Sequence, residues 1–123
     1  MSVQVRLATA ADAPALAKFR YDFRTRNMSG QEQEAAFLER CAVWMRERLG
    51  ACGAWRCWIA EREGAAVGHV WIQLFEKIPN PTSESEFHAY LTNFYVLEEA
   101  RGQGVGSGLL AAALDWCRAS HVH

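Results

Sequence analysis

The residues best suited to chemistry form one glycine-rich stretch near the carboxyl end of the chain, Arg101-Gly102-Gln103-Gly104-Val105-Gly106-Ser107-Gly108. Its glycines let the main chain adopt positive φ and approach a ligand closely. Aromatic and β-branched residues before it are typical of a strand, and apolar residues after it recur at helical spacing. Because unpaired N–H groups gather where a strand turns into a helix, the stretch predicts an anion site, with phosphate as the natural ligand.

Two well-known phosphate-binding loops do not match this stretch. The Walker loop requires Lys and then Ser or Thr after its last glycine, whereas Gly106 is followed directly by Ser107. In the dinucleotide fingerprint G-x-G-x-x-G, the third glycine would be Ser107 for a start at Gly102 and Leu109 for a start at Gly104. The pyrophosphate of an acyl-coenzyme A remains as the expected ligand.

With its flanks, the stretch resembles a signature of the GNAT superfamily of N-acetyltransferases. Arg101 to Gly106 fits the pattern R-x-x-G-x-G, residues 94–96 resemble the end of the family's fourth strand, and residues 108–110 resemble the start of its third helix. Glu98 stands where many relatives have proline. The resemblance implies that acetyl-CoA is bound by residues of the strand end and the loop, namely Tyr95, Val96, Arg101, Gly102, Gln103, Gly104, Val105, Gly106 and Ser107.

The reaction that the resemblance implies is direct acetyl transfer, in which a primary amine of a small molecule or a peptide attacks the thioester. A main-chain amide near Val96 polarises the carbonyl, and a base removes a proton from the amine. The catalytic candidates in the preceding strand are Glu86, His88 and Tyr90. The alternative function is that of a catalytically incomplete module of the same fold, which binds acyl-CoA or serves in assembly.

The faces of this strand depend on whether it contains a bulge. Without one, alternation gives a shared face to Glu86, His88, Tyr90, Thr92 and Phe94. The resemblance implies a bulge near residues 93–95. Such a bulge swaps the faces after it and splays the strand edge to admit the pantetheine arm of the coenzyme.

On the acceptor side, the resemblance implies a surface formed by the first two helices and their connection. The candidates for reading the charge of the acceptor are Arg20, Tyr21, Arg24 and Arg26. Trp44 lies beside the apolar face of the second helix. Packing in the core is therefore the ordinary interpretation for Trp44, with substrate contact as the alternative.

Hydrophobic periodicity predicts the element order β-α-α-β-β-β-α. The predicted strands cover residues 3–7, 54–62, 66–76 and 86–97, and the helices cover 13–25, 31–49 and a segment from 105 onward. Asp12 is expected to cap the first helix, and Gly68 predicts either a bulge or the close approach of another backbone. Together with the resemblance, the pattern predicts an α/β (α+β) fold, in which helices flank a mixed, mostly antiparallel sheet that is short at its C-terminal end.

Length and charge limit the remaining possibilities. The chain has 123 residues, half of them apolar and 22% charged, which predicts one globular domain over residues 1–123. A net charge of −1 with only two lysines, Lys18 and Lys77, is not typical of a nucleic-acid-binding protein. Without a long apolar run or a signal-peptide pattern, we expect no membrane association and a cytoplasmic location.

The cysteines do not suggest a metal site. Cys41, Cys52, Cys57 and Cys117 lack the C-x-x-C spacing. Reduced thiols are therefore expected rather than a disulfide or a zinc site, and no metal ligands are predicted.

The end of the chain departs from the family pattern. In the family, the third helix leads to a fifth strand, a fourth helix and usually further strands, whereas this sequence ends at His123. The resemblance thus covers about the first three quarters of the usual domain, and the fourth strand is left with an open edge. We expect a shortened form of a longer chain, or a homodimer that covers this edge, in preference to a self-sufficient monomer.

Overall fold

The computed structural model describes residues 3–26, 32–51, 53–82 and 86–122. Its elements, in chain order, are β1 (Val3–Leu7), α1 (Ala13–Thr25), α2 (Glu34–Gly50), β2 (Trp55–Arg62), β3 (Ala65–Glu76), β4 (Phe87–Val96) and α3 (Val105–Ala119). Short 3-10 turns cover Ala10–Asp12 and Glu98–Ala100. The predicted order β-α-α-β-β-β-α is confirmed, with element ends within three residues of those expected.

The four strands form one antiparallel sheet in the order β1-β2-β3-β4. The hairpin between β2 and β3 turns at Glu63 and Gly64, whose φ values are 54° and 80°. Positive φ at both central residues is the feature of a type I′ turn, which matches the twist of the flanking strands. Within the described chain, β4 therefore forms one edge of the sheet, next to the glycine-rich loop.

Both faces of the sheet are covered, because the central strands carry apolar side chains on each side. The face toward α1 and α2, called here the helix-pair face, packs Cys57, Ile59 and Trp71 against Leu16, Phe19, Ala42 and Met45. The opposite face, called the α3 face, packs Trp58, Ala60, Val70 and Ile72 against Val105, Leu109 and Ala113. Successive residues of β2 thus point alternately to the two faces of the sheet.

Asp12 occupies the N-cap position of α1, but its side chain does not cap that helix. Its carboxylate instead accepts hydrogen bonds from the amide of Thr9 (2.7 Å) and from the guanidinium of Arg6 (2.8 and 2.9 Å). The hydrogen bond with Arg6 holds the pKa of Asp12 below its usual range. Asp12, the expected cap of α1, therefore closes the 3-10 turn that precedes this helix instead.

Gly68 combines the two roles that its place in a strand suggested. The register between β2 and β3 shifts beside it, where residues 60 and 61 pair with residues 68 and 66. A Cβ atom at this position would lie 3.0 Å from the carbonyl oxygen of Tyr95 and 3.3 Å from side-chain atoms of Leu109 and Val96. Glycine at position 68 therefore lets β3, β4 and α3 approach one another beside the glycine-rich loop.

The described cysteines Cys41, Cys57 and Cys117 are free thiols. Cys52, the fourth cysteine of the sequence, lies outside the described residues. Burial raises the pKa of each of the three described thiols, most of all that of Cys57. A raised pKa keeps a thiol neutral and unreactive at physiological pH, as expected for cysteines that serve in packing.

Candidate functional site

The glycine-rich loop has the main-chain conformation that its sequence suggested. Gly102 and Gly104 adopt φ of 80° and 81°, and α3 begins directly afterwards at Val105. The first main-chain hydrogen bond into the helix is donated by the amide of Gly108 to the carbonyl of Gly104 (2.9 Å). The amides of residues 105–107 therefore precede the helical ladder and are available to an anion at the positive end of the helix dipole.

The side chains of this loop hold the loop rather than face a ligand. Val105 is fully buried on the α3 face, which fixes the first turn of the helix against the sheet. The Gln103 side chain accepts a hydrogen bond from Arg62 (2.6 Å) and donates one to the carbonyl of Glu99 (3.4 Å). Gln103 is thus positioned to contribute its main chain, as the exposed Ser107 is expected to do.

Arg101 connects the loop to the end of β4. Its Nε donates a hydrogen bond to the carbonyl oxygen of Val96 (3.0 Å), and its guanidinium lies over the ring of Tyr95 at 5.8 Å from the centroid. The signature arginine therefore fixes the distance between the strand end and the first glycine. A cation so placed also adds positive charge beside the free amides of the helix terminus.

A bulge interrupts β4 at the position that the family resemblance implied. Thr92 pairs with Trp71 and Tyr95 pairs with His69, so that two residues of β4 oppose Val70 alone. The first of these two, Asn93, has φ of 53°, a left-handed conformation in which asparagine is enriched. The bulge of β4 is thus confirmed.

The bulge exchanges the faces of the strand, as expected. Phe94 packs on the α3 face. Tyr95 lies on the helix-pair face, with its ring centroid 6.0 Å from that of Phe19 and 5.7 Å from that of Phe23. Thr92 and Tyr95 consequently lie on the same face, whereas simple alternation would place them on opposite faces.

The main chain of Val96 points outward at the open edge. The amide of Leu97 donates to the carbonyl of Val67 (2.9 Å), which places a ladder hydrogen bond at this residue pair. The adjacent pair, Gly68 and Val96, is then non-hydrogen-bonded, and the amide and carbonyl of Val96 point away from β3. The hydrogen bond that this carbonyl accepts from Arg101 lies on that outer side.

Two concave spaces lie next to each other along β4, with no lining residue in common. The first, called the edge groove, has a volume of about 420 Å³ and is lined by Phe23, Arg26, Phe94, Tyr95, Val96, Arg101 and Gly106. The second, called the tryptophan cavity, has a volume of about 310 Å³ and is lined by Arg20, Cys41, Trp44, Met45, Trp55, Trp71, Thr92 and Asn93. Since β4 gives residues 92 and 93 to the cavity and residues 94–96 to the groove, the two spaces adjoin at the bulge.

Four of the predicted coenzyme-binding residues line the edge groove directly: Tyr95, Val96, Arg101 and Gly106. The remaining five, Gly102, Gln103, Gly104, Val105 and Ser107, belong to the adjoining loop and the first turn of α3. The structure thus gathers the whole predicted set at one end of the sheet. Their role in binding stays a prediction.

The three catalytic candidates lie apart from both spaces. Glu86, His88 and Tyr90 are exposed and line neither the groove nor the cavity. Tyr90 packs edge-on against Phe75, and at a rise of roughly 3.3 Å per residue it lies about 10 Å along the strand from the bulge. His88 and Glu86 lie further still, so a catalytic role for these three residues stays a prediction.

Of the candidates for reading acceptor charge, Arg20 alone lines the tryptophan cavity. Its Nη1 donates a hydrogen bond to Oδ1 of Asn93 (3.1 Å), and burial lowers its pKa, with a further contribution from Arg24. Arg26 lines the edge groove instead. Tyr21 packs against Phe37, away from either space.

Arg20 and Trp44, both acceptor-side candidates from the sequence, line the cavity, whereas nothing in the sequence indicated its other walls. Trp44, Trp55 and Trp71 come from three different elements, and their ring centroids lie 5.3 to 6.2 Å apart. Trp44 is 36% exposed, so it both packs with the other two rings and lines the cavity.

The bulge residue, Asn93, had one signal in the sequence: it is an asparagine inside a predicted strand, where asparagine is normally depleted.

Replacing Asn93 tests the conformation of the bulge. We expect Asn93→Val to lower the free energy of unfolding by about 1–2 kcal/mol more than Asn93→Gly, because a β-branched residue is strained at positive φ and glycine is not. Both variants lose the hydrogen bond from Arg20, so that contribution cancels in the comparison. Urea unfolding measures the difference, and equal destabilisation by the two variants would contradict the left-handed conformation.

In the described part of the chain, no helix is both long enough and apolar enough to cross a membrane.

Comparisons with known proteins give both a family and a fold. The model of the acetyltransferase (GNAT) family matches residues 18–123. Among curated proteins, none matches the chain significantly.

Among solved structures, a GCN5-related N-acetyltransferase from Ralstonia eutropha JMP134 superposes with a TM-score of 0.78 at 21% identity, over 99% of this chain and 83% of that one. A predicted acetyltransferase from Clostridium acetobutylicum, solved with acetyl-CoA, gives 0.78 at 19% identity, over 99% and 77%. A ribosomal-protein-alanine N-acetyltransferase from Brucella melitensis biovar Abortus 2308 gives 0.67 at 18% identity, over 96% and 73%. At these identities, the likeness shows a shared fold.

Proposed function

Because this chain belongs to the acetyltransferase (GNAT) family, we propose that it transfers an acetyl group from acetyl-CoA to a primary amine of a small molecule or a peptide. One observation carries the proposal: the edge groove and the tryptophan cavity adjoin at the bulge of β4. A coenzyme arm in the groove and an amine in the cavity would meet there. The arrangement suits direct transfer, which requires both reactants in one place.

The residues present fit a coenzyme with a diphosphate. The amides of residues 105–107 precede the first hydrogen bond of α3, and Gly102 and Gly104 turn the loop at positive φ just before them. Successive main-chain amides of this kind bind phosphate oxygens. Arg101 supports the same site with positive charge.

Acetyl-CoA, when bound, supplies an activated acetyl group: the acetyl carbon exchanges its bond to sulfur for one to the acceptor nitrogen, and the amine proton ends on the coenzyme thiol. In the proposed complex, the outward amide of Val96 would donate a hydrogen bond to an acetyl oxygen in the groove. Arg101 holds the carbonyl of the same residue, so the orientation of this peptide unit is fixed in advance. The protein's contribution is therefore mainly placement and polarisation.

The step least supported by the lining residues is removal of the amine proton, which needs a general base. The described residues that line the two spaces include no carboxylate and no imidazole. Solvent is therefore the proposed proton acceptor at the bulge, with Glu86, His88 and Tyr90 as the candidates for relaying the proton along β4. Substitution of each by Gln or Phe with measurement of the pH–rate profile tests that relay.

Acetyl transfer itself is tested by mixing the protein with acetyl-CoA and a panel of primary amines and following thiol release. We expect release that depends on the amine, with an N-acetylated product visible by mass spectrometry. Release at the same rate with and without amine would indicate hydrolysis instead, and would contradict the proposal.

The second candidate function is a module that binds acyl-CoA without turnover. The absence of a base among the described lining residues favours it. Its expected signature is tight binding of acetyl-CoA in calorimetry together with no thiol release for any amine. Product formation with a single acceptor would exclude it.

A further inference from the structure

The tryptophan cavity contains a cation that lacks an ionic partner. A guanidinium carries five N–H donors, and Arg20 uses one of them, on Asn93. Within the described residues, no carboxylate lies at ion-pair distance from Arg20, whereas Arg6, Lys18 and Arg118 all have such partners. Holding a half-buried cation without a counter-charge is unfavourable, so the remaining donors favour an anionic ligand.

The other walls of the cavity are apolar and largely aromatic. Trp44 and Trp71 each meet Trp55 edge to face, and the guanidinium of Arg48 lies over the Trp44 ring at 4.5 Å from its centroid. The remaining ring surface of Trp44 and Trp55 is left for a further aromatic group. The indole N–H of Trp71 is donated to Nδ1 of His69 (3.1 Å), and the residue is only 1% exposed, so Trp71 supports the wall of the cavity rather than offering surface to a ligand. Met45 and the neutral thiol of Cys41 complete an apolar lining.

The position of Arg20 relative to the bulge limits the shape of the ligand. Its guanidinium contacts Asn93, where the cavity meets the edge groove and where an amine would react. An anionic group on Arg20 must therefore lie beside the reacting nitrogen, while an apolar group extends toward the tryptophans. In an α-amino acid, the carboxylate is attached to the same carbon atom as the amine, and the side chain leaves from that carbon in a third direction.

We infer that the acceptor is a free α-amino acid with an aromatic side chain, whose carboxylate pairs with Arg20 and whose side chain packs against Trp44 and Trp55. The inference rests on the proposed acetyl transfer, and it deepens that function by naming the substrate class. The cavity volume of about 310 Å³ is at the lower end of the range for ligand sites. That size suits one amino acid. A peptide amine has no carboxylate on the carbon atom that bears the amine, so it would leave Arg20 without an ionic partner.

Pairing with Arg20 also favours the reactive form of the amine. The negative carboxylate of an amino acid stabilises its neighbouring ammonium, and a guanidinium on that carboxylate cancels the effect. The ammonium then loses a proton to solvent more readily. In the overall reaction, the nitrogen gains the acetyl carbon and loses two protons, one to solvent and one that balances protonation of the sulfur of the leaving coenzyme A.

Turnover of matched acceptors tests the inference. With acetyl-CoA, we expect kcat/KM for L-phenylalanine to exceed that for L-phenylalaninamide, which lacks the carboxylate, and that for L-aspartate, which lacks the aromatic ring, by tenfold or more in each case. Phenethylamine, with the ring and the amine alone, should behave like the amide. Equal turnover of L-phenylalanine and its amide would overturn the inference and leave the transferase proposal intact.

A binding measurement separates the inference from catalysis. N-acetyl-L-phenylalanine and its amide are titrated into the protein, followed by tryptophan fluorescence and calorimetry. We expect the acid to bind at least tenfold more tightly, and we expect Arg20→Gln to remove this preference. Arg46→Gln, a change at an exposed arginine of α2 that lines neither the cavity nor the groove, is the control and should keep it.

The outcomes are distinguishable. Selective binding of the acid through Arg20 without transfer to any amine would support this ligand class and overturn the transferase function. Transfer without any preference for the carboxylate, or a preference that survives Arg20→Gln, would overturn the inference alone. Neither transfer nor selective binding would overturn both.

Discussion

Replacing Gly104 with valine is expected to weaken coenzyme A binding at least a hundredfold. Gly104 has φ of 81° at the N-cap of α3, a conformation that costs an ordinary residue about 1–2 kcal/mol and a β-branched one more. Valine would draw the loop out of this conformation and turn the amides of residues 105–107 away from their common point. Loss of two hydrogen bonds to a charged phosphate, each about 1.5–3 kcal/mol, corresponds to more than a hundredfold in Kd.

The control for this variant has the same strain at a distant site. Gly64, in the turn between β2 and β3, has φ of 80°, so Gly64→Val should destabilise the fold to a similar degree without changing the affinity for the coenzyme. Calorimetric titration with coenzyme A measures the affinity, and urea unfolding measures the stability. Parent-like affinity of a folded Gly104→Val protein would show that the diphosphate binds elsewhere.

Titration of the Gly106→Val variant with coenzyme A tests the edge groove itself. A Cβ atom there would lie 3.5 Å from Cζ of Phe94, which is an ordinary contact, so the fold should tolerate a larger residue. The two additional methyl carbons of valine would lie in or beside the edge groove that Gly106 lines. Weak binding by a stable Gly106→Val protein would therefore report on the groove, separately from the loop strain at Gly104.

The loop and the sheet were predictable because their signals are local. Positive φ at Gly102 and Gly104, and the turn into α3, follow from glycine spacing within seven consecutive residues. The strands of the hairpin follow from apolar alternation and a short glycine turn. Each of these features is determined by residues that are close together in the sequence. One sequence is therefore enough to predict them.

The tryptophan cavity was not predictable because its signals are long-range. Trp44, Trp55 and Trp71 stand on α2, β2 and β3, and nothing in their spacing indicates that the three rings meet. Arg20 was one of several arginines on one polar surface until the contact with Asn93 distinguished it. The bulge itself came from the family resemblance, since alternation along β4 gave no sign of it.

The open edge of β4 matters both for the proposed catalysis and for the expected homodimer. The outward amide of Val96 is available for the proposed catalysis because, in the described chain, no strand pairs with that edge. An edge with free N–H and C=O groups also favours pairing with another strand. The expected homodimer thus stays a prediction, and sedimentation with and without acetyl-CoA would test whether the coenzyme and a second chain compete for the edge.

The second large effect concerns acid stability, and it comes from His69. This side chain is fully buried on the helix-pair face, and its ring packs edge-on against Phe19 at 5.2 Å. Its Nδ1 accepts a hydrogen bond from Trp71, which places the proton on Nε2, and Nε2 has no partner among the described groups. Burial, with a smaller contribution from the charge of Arg20, lowers the pKa of His69 to about 3.

The sign of the pH effect follows from this shift. The unfolded chain binds a proton at His69 below about pH 6.5, whereas the folded protein does not until about pH 3. Stability is therefore full above pH 6.5 and falls as the pH is lowered through this window, by up to about 1.4 kcal/mol per pH unit. Between about pH 6.5 and about pH 5, most carboxylates stay ionised, and the expected loss is on the order of 2 kcal/mol.

Urea unfolding of His69→Gln over this range provides the test. Glutamine does not titrate, and its amide oxygen can still accept the hydrogen bond from Trp71, so the variant should have a flatter dependence of stability on pH. His88→Gln, a change of the same kind at an exposed position of β4, should keep the steeper dependence of the parent. Parallel pH dependences for the parent and His69→Gln would mean that the imidazole takes up its proton in the folded state, and that a water or another acceptor at Nε2 stabilises the charge.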